Sequence, residues 1–141
     1  MAIPTIFSKW RSLEPQLRSV LRIVAALCFM LSGTSKLFAI PSPGPHHGPV
    51  ELFSQIGLAG VLETFGGFLL LIGLFTRPVA FIVSGEMAVA YFQAHLPRGF
   101  WPSMNGGTTA TLFCFIWLYF SAAGAGRYSA DEVRRRRKRI L

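Results

Sequence analysis

Four stretches of the chain are apolar almost without interruption, and clusters of turn-forming or basic residues separate them. The first runs from about Leu17 to Ala39 and the second from about Leu58 to Phe75. The third covers about Val79 to Leu96, and the fourth about Thr108 to Gly124. A helix needs about 20 mainly apolar residues to cross the hydrocarbon core of a bilayer, so each stretch is a predicted span, the second and fourth short ones. The connections carry turn chemistry. "PSPGPHHGP" holds four prolines and two glycines and is predicted to be a loop. "PVELFSQIG" predicts a short helix, with Pro49 in its first turn and Gly57 at its C-terminal cap. Val50, Phe53 and Ile56 would share one face of it, as suits a helix lying in the membrane interface. "FTRP" makes a tight connection, and "LPRGFWPSMNGG" places Phe100 and Trp101 at the headgroup level. The expected fold is all-α: a four-helix transmembrane bundle with both termini cytoplasmic and a short interfacial helix in the first periplasmic loop. It divides into a cytoplasmic segment (1–16), a four-span membrane domain (17–126) and a basic cytoplasmic tail (127–141).

Composition supports a lipid solvent. Of 141 residues, 52% are hydrophobic and only 14% charged, against roughly 25% charged in an ordinary soluble domain. The formal charge of +8 gathers near the N-terminus and in the terminal "RRRRKR" run. A nucleic-acid surface would instead spread basic residues over a folded face with polar and aromatic neighbours, so nucleic acid is not an expected partner. Lys9, Arg11, Arg18, Arg77, Arg127 and the tail would fall on one side of four spans, and only Arg98 and Lys36 on the other. The positive-inside rule then puts both termini in the cytoplasm. The tail opens with a capping box, Ser129 to Glu132, and is predicted to be a short helix lying on the anionic leaflet. The N-terminal basic residues followed by "IVAALCFML" resemble a signal peptide, but no small-residue cleavage site follows, so a retained first span is expected. Cys28 and Cys114 form no C-x-x-C and sit within apolar runs, which predicts buried, inert thiols. His46 and His47 have no carboxylate or cysteine in ligand spacing, so no metal site is expected. No serine or cysteine sits in a nucleophile elbow or beside a base.

Depth singles out the polar residues within the spans. Lys36 lies near the outer end of the first span. Glu63 enters the second span from the same side by roughly 8 Å. His95 ends the third span, and Arg98, Asn105 and Thr108 follow at that level. An isolated Lys or Glu in hydrocarbon costs about 2.5–3.5 kcal/mol at the centre. Pairing Lys36 with Glu63 offsets much of that. The pair is either a structural tie between two spans or part of a polar head-group pocket, and the two are compatible. The candidate pocket comprises Lys36, Glu63, Tyr91, His95, Arg98, Trp101 and Asn105. Glu86 lies deeper, near mid-membrane, as a candidate proton relay or as a hydrogen-bond partner of Tyr119 or Ser121. On a regular helix it could not point where His95 points. Ser32, Gly33, Gly66 and Gly67 mark close helix contact.

The stretches "FMLSGTSKLF", "LETFGGFLLLIGLFTR", "GEMAVAYFQAHLPRGFWPSMNGG" and "GRYSAD" resemble the DoxX family of small bacterial membrane proteins. The resemblance implies a four-helix bundle in the bacterial cytoplasmic membrane. It also implies an association with quinone-linked redox systems, including a thiosulfate:quinone oxidoreductase subunit. The family pattern usually follows "NGG" with a glutamate, where this chain has Thr108, so one outer-layer carboxylate is missing. Three functions are expected in this order: a quinone-interacting subunit of a membrane redox system, a non-catalytic accessory subunit of a larger respiratory or photosynthetic complex, and a small-molecule or proton pathway built as a homo-oligomer. Whether the chain is itself an enzyme stays open. It shows no flavin, haem or iron–sulfur motif, so any redox cofactor would have to come from a partner.

Overall fold

The computed structural model describes residues 6–42 and 50–140, and every regular element among them is helical. A short helix, α1 (Ile6–Ser12), precedes α2 (Glu14–Phe38), which has 25 residues. Then come α3 (Gln55–Ile72) and α4 (Thr76–Arg98), of 18 and 23 residues. The one-turn α5 (Pro102–Asn105) leads into α6 (Thr108–Ala123), of 16 residues, and α7 (Ala130–Ile140) ends the described chain. Helices α2, α3 and α4 are each long and apolar enough to cross a bilayer. At 1.5 Å per residue α6 spans only about 24 Å, less than the hydrocarbon thickness of about 30 Å.

The four longer helices pack around an aromatic centre. Trp117 of α6 is fully buried, with Phe29 of α2 edge-on at 5.5 Å and Phe113 stacked at 6.0 Å. Leu70, Ala80 and Val83 complete the contact from α3 and α4. Small residues set the helix separations. A Cβ on Gly67 would lie 3.0 Å from Met30 Cβ, and one on Gly66 would lie 2.9 Å from Val83 Cγ1. Outward faces are apolar throughout: Val24 and Leu31 on α2, Phe65 and Phe68 on α3, Phe81 and Ile82 on α4, Leu112 and Phe115 on α6. Such continuous exposed apolar surface is what a lipid-facing protein presents.

Among the described residues the expected short interfacial helix does not form. Leu52–Ser54 form a turn, and Phe53 is 91% exposed. Ser54 is extended, and its Oγ accepts the Gly57 N–H at 3.0 Å, an N-cap that starts α3 at Gln55. Gly57 is therefore in the first turn of α3 and not at a C-terminal cap. A Cβ there would sit 2.1 Å from the Glu51 carbonyl, so the turn folds directly onto it. Pro49, His46 and His47 lie outside the described residues. Cys28 also departs from expectation: it is free and exposed on the outer face of α2, whereas Cys114 is half-buried.

At one end of the molecule, here the basic end, the start of α2, the end of α3, the start of α4 and the end of α6 meet. Arg22 organises them. It is fully buried, and its guanidinium donates to four carbonyls. Nη1 reaches Leu70 and, at 2.6 Å, Leu71 at the end of α3. Nε reaches Ala125 at 2.9 Å, and Nη2 reaches Tyr128 at 2.5 Å. The last carbonyls of a helix have no partner within it, and a planar five-donor cation satisfies several at once. Gly73, at φ +70, ends α3 where a Cβ would stand 3.0 Å from the Arg22 Cζ. Asp131 closes the same end. Its two carboxylate oxygens accept the backbone N–H groups of Phe75 and Thr76 at 2.9 and 2.8 Å, capping α4 from the tail.

Candidate functional site

Another set of polar groups from α2, α3 and α4, away from Arg22, lies toward the opposite, or far, end. Glu63 lies about 12 Å along α3 from Gln55 by helix rise, deeper than a span starting at Leu58 implied. It sits in a π-helical turn, Leu62–Gly66, that interrupts α3. Such turns insert one extra residue and are frequent at functional sites. The turn presses against Gly33 of α2, where an added Cβ would lie 2.5 Å from Thr64 N and 2.8 Å from Glu63 Cβ. Only glycine permits that approach.

Lys36 Nζ donates to Glu63 Oε2 and, at 3.1 Å, to Ser32 Oγ. The Glu63 side chain is 3% exposed and that of Lys36 21%. A lysine two residues from the end of a span would ordinarily extend outward to place its ammonium in water. Lys36 instead runs back along its helix toward Ser32 and the interior. The charge is held by its partners rather than by solvent.

Glu86 lies within electrostatic reach of Glu63 and Lys36, and its Oε2 is buried without a hydrogen-bond partner. The expected bond to Tyr119 or Ser121 does not form. Ser121 Oγ donates to Leu118 O of its own helix at 2.7 Å, and Tyr119 lines a groove at the basic end.

A second polar cluster lies at the tip of the far end. The π-helical turn Tyr91–His95 distorts α4 there and turns Tyr91 and His95 toward the α4–α5 loop. Tyr91 OH donates to Phe100 O, and the Tyr91 ring stacks over His95 at 6.4 Å. His95 Nδ1 lies 3.3 Å from Asn105 O and 3.1 Å from Arg98 Nη2. Asn105, 4% exposed, donates from Nδ2 to Gly99 O at 2.6 Å and accepts the Gly107 N–H at 2.8 Å. Gln55 Nε2 donates to Gln93 Oε1 and ties α3 to α4.

The candidate residues thus sort into two neighbourhoods: Lys36, Glu63 and Glu86, and separately Tyr91, His95, Arg98 and Asn105. Trp101 joins neither by its side chain. It is 64% exposed and meets Phe100 edge-on at 5.3 Å. Thr108 Oγ1 donates to Pro102 O at 3.1 Å and secures the start of α6. Sequence reasoning missed Arg22, which it read only among the N-terminal basic residues of a signal-peptide-like stretch. The signal was its position, with apolar residues on both sides in "SVLRIVAAL". It also missed Ser32 as the second acceptor of Lys36, and Asp131. Among the described residues no three His, Cys, Asp or Glu side chains come together as metal donors.

Long apolar helices, outward-facing hydrocarbon side chains and buried polar contacts between spans define a small helical membrane protein. The DoxX family model matches residues 17–96, more than half of the chain. A protein of Haemophilus influenzae described as uncharacterized is 42% identical over 122 residues, covering 84% of this chain and 91% of its own length. No solved structure matches. The chain belongs to the DoxX family.

Proposed function

We propose that this chain is a quinone-interacting subunit of a redox system in the bacterial cytoplasmic membrane. In this reading α6 forms a fourth, short span, and both termini lie in the cytoplasm because the basic end carries Arg18, Arg77, Arg127 and the tail. The observation that carries the proposal is the inward course of Lys36 onto Glu63 and Ser32, with Glu86 within electrostatic reach. An ammonium has three donors, and Ser32 and Glu63 take two. The third is free to donate to a quinone carbonyl. The unpartnered Glu86 Oε2 supplies an acceptor for the hydroxyl that a quinone carbonyl becomes on reduction. Glu86 can also carry a proton between this cluster and the remainder of the bundle. Tyr91, His95, Arg98 and Asn105 bond mainly to one another and to nearby carbonyls, which suits a rim that holds its shape. Trp101 and Phe100 lie at the headgroup level. A quinone supplies two-electron, two-proton chemistry, and the electrons come from a partner. Purification from quinone-containing membranes in mild detergent, followed by lipid extraction, tests this. Quinone well above the level carried by an unrelated membrane protein is expected; the same trace in both would remove the reading.

The alternative is a non-catalytic accessory subunit of a larger respiratory or photosynthetic complex. It draws on the exposed corner formed by Phe92, Phe100, Trp101 and Met104, between 62% and 84% exposed. A lone monomer in native gels of solubilised membranes would count against it. A proton or small-molecule pathway would need a homo-oligomer and would run through Glu86. Liposome flux unchanged by Glu86→Gln would remove that route.

A further inference from the structure

A second feature lies at the basic end, away from Lys36 and Glu63. A groove of about 600 Å³ there is lined by Arg18, Arg77, Arg127 and Arg135, which come from α2, α4, the α6–α7 connection and α7. Two carboxylates also line it, and both are engaged. Asp131 caps α4 with its two oxygens. Glu132 takes Arg135 on Oε2 at 2.6 Å and Arg136 on Oε1 at 2.9 Å. Arg18 is paired with Glu14 and donates to Ala123 O at 2.6 Å. Arg77 spends one nitrogen, Nη1, on Ala122 O at 2.6 Å. Its Nε and Nη2 edge lies over Gly124, whose added Cβ would be 3.4 and 3.5 Å from them. The Arg127 guanidinium is exposed and has no side-chain partner among the described residues, although its backbone N–H is tied to Pro15 O at 3.1 Å. Two guanidinium edges thus face an open groove with no carboxylate left to meet them.

The surroundings say which anion fits. The groove includes Pro78 of α4. From there Ile82, Gly85 and Val89 continue along one helix face at helical spacing. Ile82 and Val89 are 55% and 47% exposed, and a Cβ at Gly85 would meet nothing within 4 Å. An exposed apolar strip therefore leads away from a cationic groove, a pattern suited to a molecule with an anionic head and a hydrocarbon chain.

We propose that this groove binds one anionic phospholipid, its phosphate held by Arg77 and Arg127 and its acyl chain lying along Ile82, Gly85 and Val89. Binding to a defined groove differs from the diffuse attraction of the basic tail to a charged surface, and detergent separates the two because it removes the surface. The full chain is loaded with an equimolar mixture of phosphatidylglycerol and phosphatidylcholine, solubilised, and its retained lipid is weighed by native mass spectrometry. One phosphatidylglycerol per chain is expected, in clear excess over phosphatidylcholine. Each arginine near an anionic lipid is worth a factor of about five, so Arg127→Gln should reduce the excess about fivefold. Arg77→Gln should act similarly, and because Arg77 also supports α6, its melting temperature is read alongside. Arg137→Gln with Arg139→Gln, on the tail outside the groove, should leave the excess unchanged. Equal retention of the two lipids by the wild type would overturn the proposal. So would an equal loss in the tail variant and in Arg127→Gln, or displacement of the bound phosphatidylglycerol by millimolar inorganic phosphate.

Discussion

Replacing Arg22 by methionine tests how the basic end is held. The side chain is fully buried, and methionine of similar length would fill much of its volume while removing every donor. Four carbonyls lose a donor: Leu70, which keeps the Gly73 N–H at 3.2 Å, and Leu71, Ala125 and Tyr128. A buried acceptor left unsatisfied costs about 1–3 kcal/mol. Relief of the guanidinium desolvation and partial relaxation of the chain return part of the sum. Breaking one side of a buried charged network costs about 3–5 kcal/mol net. For a chain of this size 1 kcal/mol moves the melting temperature by about 3–4 °C, so Arg22→Met should lower it by on the order of 10–20 °C. Arg22→Lys keeps the charge but presents three donors from a point rather than a fork, and should fall between. The assay is far-UV circular dichroism on heating in a fixed detergent, both variants beside the wild type. A shift of less than about 3 °C for Arg22→Met would refute the role assigned to Arg22.

Three further outcomes are expected. Glu63→Gln strands Lys36 among apolar helices and should destabilise by about 3–5 kcal/mol. The double variant Lys36→Met, Glu63→Met should lose far less than the two single losses added, and a thermal double-mutant cycle that proves additive would contradict the pairing. Gly33→Ala puts a methyl against Thr64 and Glu63 and should cost about 1–3 kcal/mol, whereas Gly85→Ala enters open space and should be tolerated; equal melting shifts would be inconsistent with the described contact. The Glu132 carboxyl is held below the usual range chiefly by the Arg136 hydrogen bond, with Arg135 adding to it. A depressed folded-state value means the tail gains order above the ordinary carboxylate range and loses it as pH falls through the folded value. Hydrogen exchange in α7 should therefore quicken, relative to its intrinsic rate, on acidification, and Glu132→Gln should abolish that dependence.

Much of the fold was legible because lipid imposes a simple rule on it. Runs of apolar residues broken by Pro, Gly and basic clusters predicted helices close to α2, α3, α4 and α6. The start of α3 was missed because Pro49 and Gly57 matched helix-end chemistry, while the operative cap was the Ser54 hydroxyl, a choice that turns on one φ/ψ setting. Both π-turns were invisible for a related reason: they change register by a single residue without any compositional mark. That change governs the site. It places Glu63 against Lys36 and aims Tyr91 and His95 into their own cluster, so residues predicted at one depth divide between two neighbourhoods. Arg22 shows the opposite error. It was read only with the basic residues that precede the first apolar run, but its place within that run made it a structural donor.

The most direct measurement is the affinity of a short-chain quinone for the protein in nanodiscs, compared with Lys36→Met. The account predicts saturable binding by the wild type and at least about tenfold weaker binding by the variant, the loss of one charge-assisted donor. Equal affinity in both, or no saturable binding by a wild type that is fully folded, would contradict it.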